Sequence, residues 1–129
     1  MKVVEMRVLM KLHSNALTSK EMQERVDAYI SQFKEGYFSP LSMMARMTEE
    51  VGELAREVNH HYGEKPKKSS EDENSMEEEL GDLLFVMLCF ANSLDIDMTE
   101  SFETVMNKFE TRDKDRWTKR DQEEELKYD

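Results

Sequence analysis

Residues 75–94 read SMEEELGDLLFVMLCFANSL, and residues 39–63 read SPLSMMARMTEEVGELAREVNHHYG. These two stretches decide the fold. In the later one, Ser75 stands three residues before Glu78, the spacing of a helix-capping box, and every position from Leu83 to Ala91 is apolar. In the earlier one, Ser39 followed by Pro40 makes an N-cap and first-turn pair. Met44, Met47, Val51, Leu54, Ala55, Val58 and Tyr62 then recur at spacings of three and four, and Gly63 closes the run. Each predicted helix carries an acidic doublet, Glu50 with Glu53 and Glu79 with Asp82. Residues three apart share one face of a helix.

Both doublets border apolar surface, where a carboxylate is usually paired or holds a cation, because buried unpaired charge is costly. Four of them converging from two helices would make an oxygen-rich site for a hard divalent ion, Mg²⁺ with Mn²⁺ as its substitute. That pattern points to metal-assisted phosphate chemistry. Both doublets also contain a glycine, Gly52 and Gly81, at a helix-interior position. Such a glycine costs roughly 1 kcal/mol relative to Ala, which suggests close helix approach around the acids. The competing reading is a solvated charged face, a serious one when 36% of residues are charged.

Working outward, 129 residues make one domain with room for a core that needs no disulfide. Four Gly and two Pro leave little punctuation for a many-stranded fold, so an all-α class is expected. A net charge of −11 argues against nucleic acid or an anionic membrane as partner. The single cysteine, Cys89, cannot form an internal disulfide, and a reducing cytoplasm is the simplest setting. No uninterrupted apolar run approaches the ~18 residues of a membrane span. Glu5, Arg7 and Lys11 break the N-terminal MKVVEMRVLMKL, which reads as an extension rather than a signal peptide.

Two further helices are expected. Thr18 with Glu21 caps one that carries Met22, Val26, Tyr29, Ile30 and Phe33 and ends near Gly36. Asp97 with Glu100 caps another, with Met98, Phe102, Val105, Met106 and Phe109 as its core stripe. Residues 63–74, polar and aperiodic, read as a loop between antiparallel helices. The expected organisation is an extension over 1–17, a helical domain over 18–118 and a charged tail over 119–129. A helix apolar all round, as 83–91 is, needs cover on most sides, so self-association into a homodimer or homotetramer is expected. Phe90 is the interface position singled out.

Glu50-x-x-Glu53, 25 intervening residues and Glu79-x-x-Asp82 resemble the signature of the MazG-like nucleotide pyrophosphohydrolases. The word EELGDLLF is intact at Glu78–Phe85, and Asn107-Lys108-Phe109 followed by Arg112 matches a third family element. The likeness covers roughly residues 20–118, and the run from Gly36 is similar to the short, single-domain YpjD-type branch. The resemblance implies a four-helix all-α NTP pyrophosphatase fold that hydrolyses a nucleoside triphosphate to the monophosphate and pyrophosphate, in nucleotide-pool housecleaning. It implies Mg²⁺ held by Glu50, Glu53, Glu79 and Asp82, with Glu49 a candidate base for the attacking water. Asn107, Lys108 and Arg112 are implied as substrate-binding, the cations gripping phosphate. Without the family, those cations read equally as complement to a helix C-terminus.

Two other classes compete. One is a non-enzymatic helical oligomer with a degenerate metal site. The other is a di-iron bundle, suggested by Glu57-x-x-His60, but it requires a second such motif and the acidic third helix has no histidine. Phe33, Tyr37, Phe38 and Trp117 are aromatics that could stack on a base, though such residues are more often core.

Overall fold

The computed structural model describes residues 16–63 and 75–121. Among them there are four helices and no strand: α1 (Ser19–Ile30), α2 (Pro40–Tyr62), α3 (Met76–Ser93) and α4 (Met98–Thr111). The expected extension, the loop and the end of the tail fall outside the described residues, apart from Ala16–Leu17, Gly63 and Lys119–Asp121. The chain divides after Met98 into two compact units. In the first, α3 packs against both α2 and α1.

Three of the predicted caps hold. Thr18 and Glu21 form a reciprocal capping box, Ser39 Oγ accepts from the Ser42 N–H with Pro40 in the first turn, and Ser75 Oγ accepts from the Glu78 N–H. α3 ends in a Schellman arrangement: the Ile96 N–H donates to the Ala91 carbonyl and the Asp95 N–H to that of Asn92. Asp95 supplies the left-handed residue at φ 54°. α1 stops earlier than expected, at Ile30 rather than near Gly36. The Gln32 and Phe33 N–H groups bond three residues back, tightening the chain into turns, and Gly36 reverses it at φ 58°.

The core is Val26, Met43, Leu88 and Cys89, with Met22, Ile30, Tyr37, Phe85, Phe90 and Met98 packed around it. Phe90, the expected interface position, is half-buried and packs against this core within the chain. The larger correction concerns α2. Its buried residues are Met43, Glu50 and Glu57, whereas Met44, Val51, Val58 and Tyr62 of the predicted stripe are exposed. Positions seven apart lie nearly in line along a helix, so α2 turns its Met43–Glu50–Glu57 row inward, with Met47 and Leu54 half-buried beside it and the rest of the apolar stripe outside. α4 departs likewise: it buries no residue, and Phe102, Val105 and Phe109 are exposed. α3 follows its all-round apolar reading in part. Val86, Leu88, Cys89 and Ala91 are buried, while Leu84 remains exposed.

Candidate metal centre

α2 carries Glu50 and Glu53 one turn apart, α3 carries Glu79 and Asp82, and the packing of α2 on α3 brings the pairs together. One carboxylate oxygen from each of the four lies within 4.8 Å of the others. Among the described residues this is the group of acidic, His or Cys side chains that could hold a metal ion. Glu50 and Glu79 are buried, only 7% and 2% exposed; Glu53 and Asp82 open to solvent. The Oε2 atoms of both Glu50 and Glu79 are buried without a hydrogen-bond partner.

Two orphaned carboxylate oxygens in a helix interface are costly by themselves, since burying an ion carries a penalty of several kcal/mol. Burial, reinforced by Glu53 and Asp82, pushes the Glu50 carboxyl above the usual glutamate range, and Arg46 opposes this. Burial again acts first on Glu79, followed by Glu53, which both hydrogen-bonds to it and repels its charge, so its carboxyl is pushed up as well. Like charges this close cannot all ionise cheaply. Bound there, a divalent cation would supply the missing partner and favour the ionised forms. An all-oxygen donor set fits a hard ion. The residues present thus fit the group that the sequence implies.

The other expected site residues are placed as follows. Glu49 is exposed on α2, adjacent to Glu50 but not among the four. Asn107, Lys108 and Arg112 belong to the second unit, on α4 and directly after it. There the Lys108 ammonium sits 5.3 Å from the centroid of the Phe109 ring, and Arg112 donates from Nε and Nη2 to the two oxygens of Asp113 at 3.0 and 3.1 Å. Asn107 accepts at its carbonyl from Thr111. Trp117 is exposed under the Arg116 guanidinium. The expected close approach at the two glycines fails, because a Cβ added at Gly52 or Gly81 would meet nothing within 4 Å.

Three features escaped the sequence. The first is a cavity of about 380 Å³ lined by Tyr29, Phe33, Tyr37, Phe38, Phe85 and, on its polar side, Arg46. That a turn and two helices gather these aromatics is a property of the fold and not of any local spacing. The second is Arg46, whose Nη2 lies 3.9 Å from Glu50 Oε1. Its spacing of four from Glu50 was a legible sign. The third is a polar network behind the cavity. The Tyr37 hydroxyl donates to Asp27 at 2.6 Å and accepts from Asn92 at 3.1 Å, while Gln23 joins Asn92 to Ile96 and Met98. Burial and the bond to Asp27 push the Tyr37 phenol up to about 12. This network pins the α1–α2 turn to the C-terminus of α3.

Comparison with known proteins points the same way. The MazG nucleotide pyrophosphohydrolase domain matches residues 38–117. The YpjD protein of Bacillus subtilis (strain 168) is 69% identical over 105 residues, spanning 81% of this chain and 95% of that protein. The crystal structure of YpjD from Bacillus subtilis aligns at 68% identity with a TM-score of 0.68, covering 74% of this chain and 98% of that one. A Bacillus-conserved MazG protein, whose crystal structure is described as that of a nucleotide pyrophosphohydrolase, aligns at 59% identity with a TM-score of 0.64. That match covers 84% of this chain and 97% of the other.

Proposed function

The chain belongs to the MazG nucleotide pyrophosphohydrolase family, and from that premise we propose that it hydrolyses a nucleoside triphosphate to the monophosphate and pyrophosphate with Mg²⁺, clearing surplus or non-standard nucleotides. Mn²⁺ is the proposed substitute. The observation that carries the reading is the cluster itself: four carboxylates within 4.8 Å, two of them buried with an orphaned oxygen. A solvated charged face, the sequence's bland alternative, does not bury Glu79 to 2% exposure.

Glu50, Glu53, Glu79 and Asp82 would hold the ion. When bound, it would neutralise phosphate charge and acidify the attacking water. The chain's own residues do the rest. Buried Glu50 and Glu79, fixed by the α2–α3 packing, set the position at which phosphate is received. Glu49, exposed and adjacent in sequence to Glu50, is the proposed base that accepts the proton of a water attacking the α-phosphorus. Lys108 and Arg112 are proposed to hold phosphate oxygens and Asn107 to orient a phosphate or sugar hydroxyl, a reading supported by their place in the family motif. The aromatic cavity, with its Tyr29–Phe33 edge contact at 5.3 Å between centroids, suits a nucleobase by size and lining.

The test is product identity. With Mg²⁺, the protein is expected to release pyrophosphate, not orthophosphate, from members of a panel of ribo- and deoxyribonucleoside triphosphates. Glu53→Gln and Asp82→Asn should weaken Mg²⁺ binding in calorimetry and slow turnover without unfolding the chain. Wild-type metal affinity and rate in both variants would refute the site.

A further inference from the structure

Arg46 stands where two features of the first unit meet. Its guanidinium borders the acid cluster through Glu50, and the same side chain lines the aromatic cavity beside Phe33, Tyr37 and Phe85. Its charge also reaches the cavity wall, opposing the upward push that burial exerts on the Cys89 thiol. The contact with Glu50, at 3.9 Å and with the arginine side chain 54% exposed, is too long for a hydrogen bond. A contact without a hydrogen bond, made by a guanidinium that reaches solvent, does not fix the arginine in place. Were Glu50 to ligate a divalent ion, its charge would be engaged there and would hold the guanidinium less.

A nucleotide that spans these features puts its base in the cavity and its outer phosphates toward the acids. The phosphate joined to the sugar then falls at the junction. We infer that Arg46 binds the α-phosphate of the nucleotide, exchanging its loose contact with Glu50 for a forked pair of hydrogen bonds to phosphate oxygens. A planar guanidinium suits that geometry, and a lysine ammonium does not reproduce it. This assignment rests on the pyrophosphohydrolase reading above. It adds a cation in the first unit, distinct from Lys108 and Arg112, at the phosphorus where water attacks, where developing negative charge most needs a fixed donor.

Product inhibition separates this role from mere screening of Glu50. Wild type, Arg46→Lys and Arg46→Met are assayed with the triphosphate that wild type hydrolyses fastest, using its nucleoside monophosphate and inorganic pyrophosphate as separate inhibitors. Arg46→Met is expected to weaken monophosphate inhibition by roughly tenfold or more while pyrophosphate inhibition stays within about twofold, with Arg46→Lys intermediate. Calorimetric Mg²⁺ affinity of the metal-free Arg46→Met protein should equal or exceed that of wild type. Loss of both inhibitions alike, or of neither, would overturn the α-phosphate assignment and leave the enzyme reading standing. Absence of pyrophosphate release by wild type from every triphosphate would instead remove the underlying reading.

Discussion

At the scale of single residues, the acid cluster makes a prediction about pH. Glu50 and Glu79 both lie above the ordinary glutamate value of 4.5 in the folded chain. Over the interval between 4.5 and the raised values, the folded protein holds protons that the unfolded chain has released, so stability falls as pH rises through it. Metal-free protein is expected to gain melting temperature as pH drops from neutrality toward that ordinary value, and saturating Mg²⁺ should remove the dependence. A metal-free Tm that is flat over this interval would contradict the buried-acid account. Lys108 and Arg112 test the phosphate grip. Lys108→Met is expected to lower catalytic efficiency by roughly tenfold to a thousandfold, about 1.4–4 kcal/mol, with little change in Tm. Should Lys108→Met and Arg112→Met both turn over triphosphate at the wild-type rate, those cations serve the helix terminus instead. The four clustered acids are legible in the sequence because a spacing of three survives any orientation of the helix. Arg46 was passed over because its relevance depends on the cavity, which no local spacing encodes.

Among the helices, capping is legible in the sequence and facing is not. Thr18, Ser39 and Ser75 cap helices as expected, since capping depends only on the next three residues. The face of α2 was misread because hydrophobic periodicity identifies a stripe without saying what covers it, and here the inward row contains Glu50 and Glu57. Here the usual rule is inverted: charge lies inside, and Met44, Val51 and Val58 lie outside. The glycines carry a consequence. With open space at Gly52 and Gly81, replacing either by Ala should stabilise the chain by up to about 1 kcal/mol in denaturant unfolding. Loss of stability in either variant would show that a neighbouring molecule packs against that position.

For the whole molecule, the exposed stripe on α2 asks for cover. Val51, Leu54, Ala55, Val58 and Tyr62 line one shallow apolar groove along the helix, which polyanionic nucleotide does not suit. The occupant we propose is a second copy of this chain, because a straight apolar row on a helix can meet its own copy across a two-fold axis. Val58→Glu is expected to shrink the particle in sedimentation while the helical circular dichroism persists. A folded, monodisperse wild-type monomer at micromolar concentration would remove the proposal. No helix among the described residues is long and apolar enough to cross a membrane. The central claim is that the four-carboxylate centre uses a divalent ion to direct water onto the α-phosphorus of a nucleoside triphosphate. Hydrolysis in ¹⁸O-labelled water, with products weighed by mass spectrometry, tests it most directly. With Mg²⁺, one labelled oxygen should appear in the nucleoside monophosphate and none in pyrophosphate, and chelation should stop both products. Label in pyrophosphate, release of orthophosphate, or an unchanged rate without metal would contradict it.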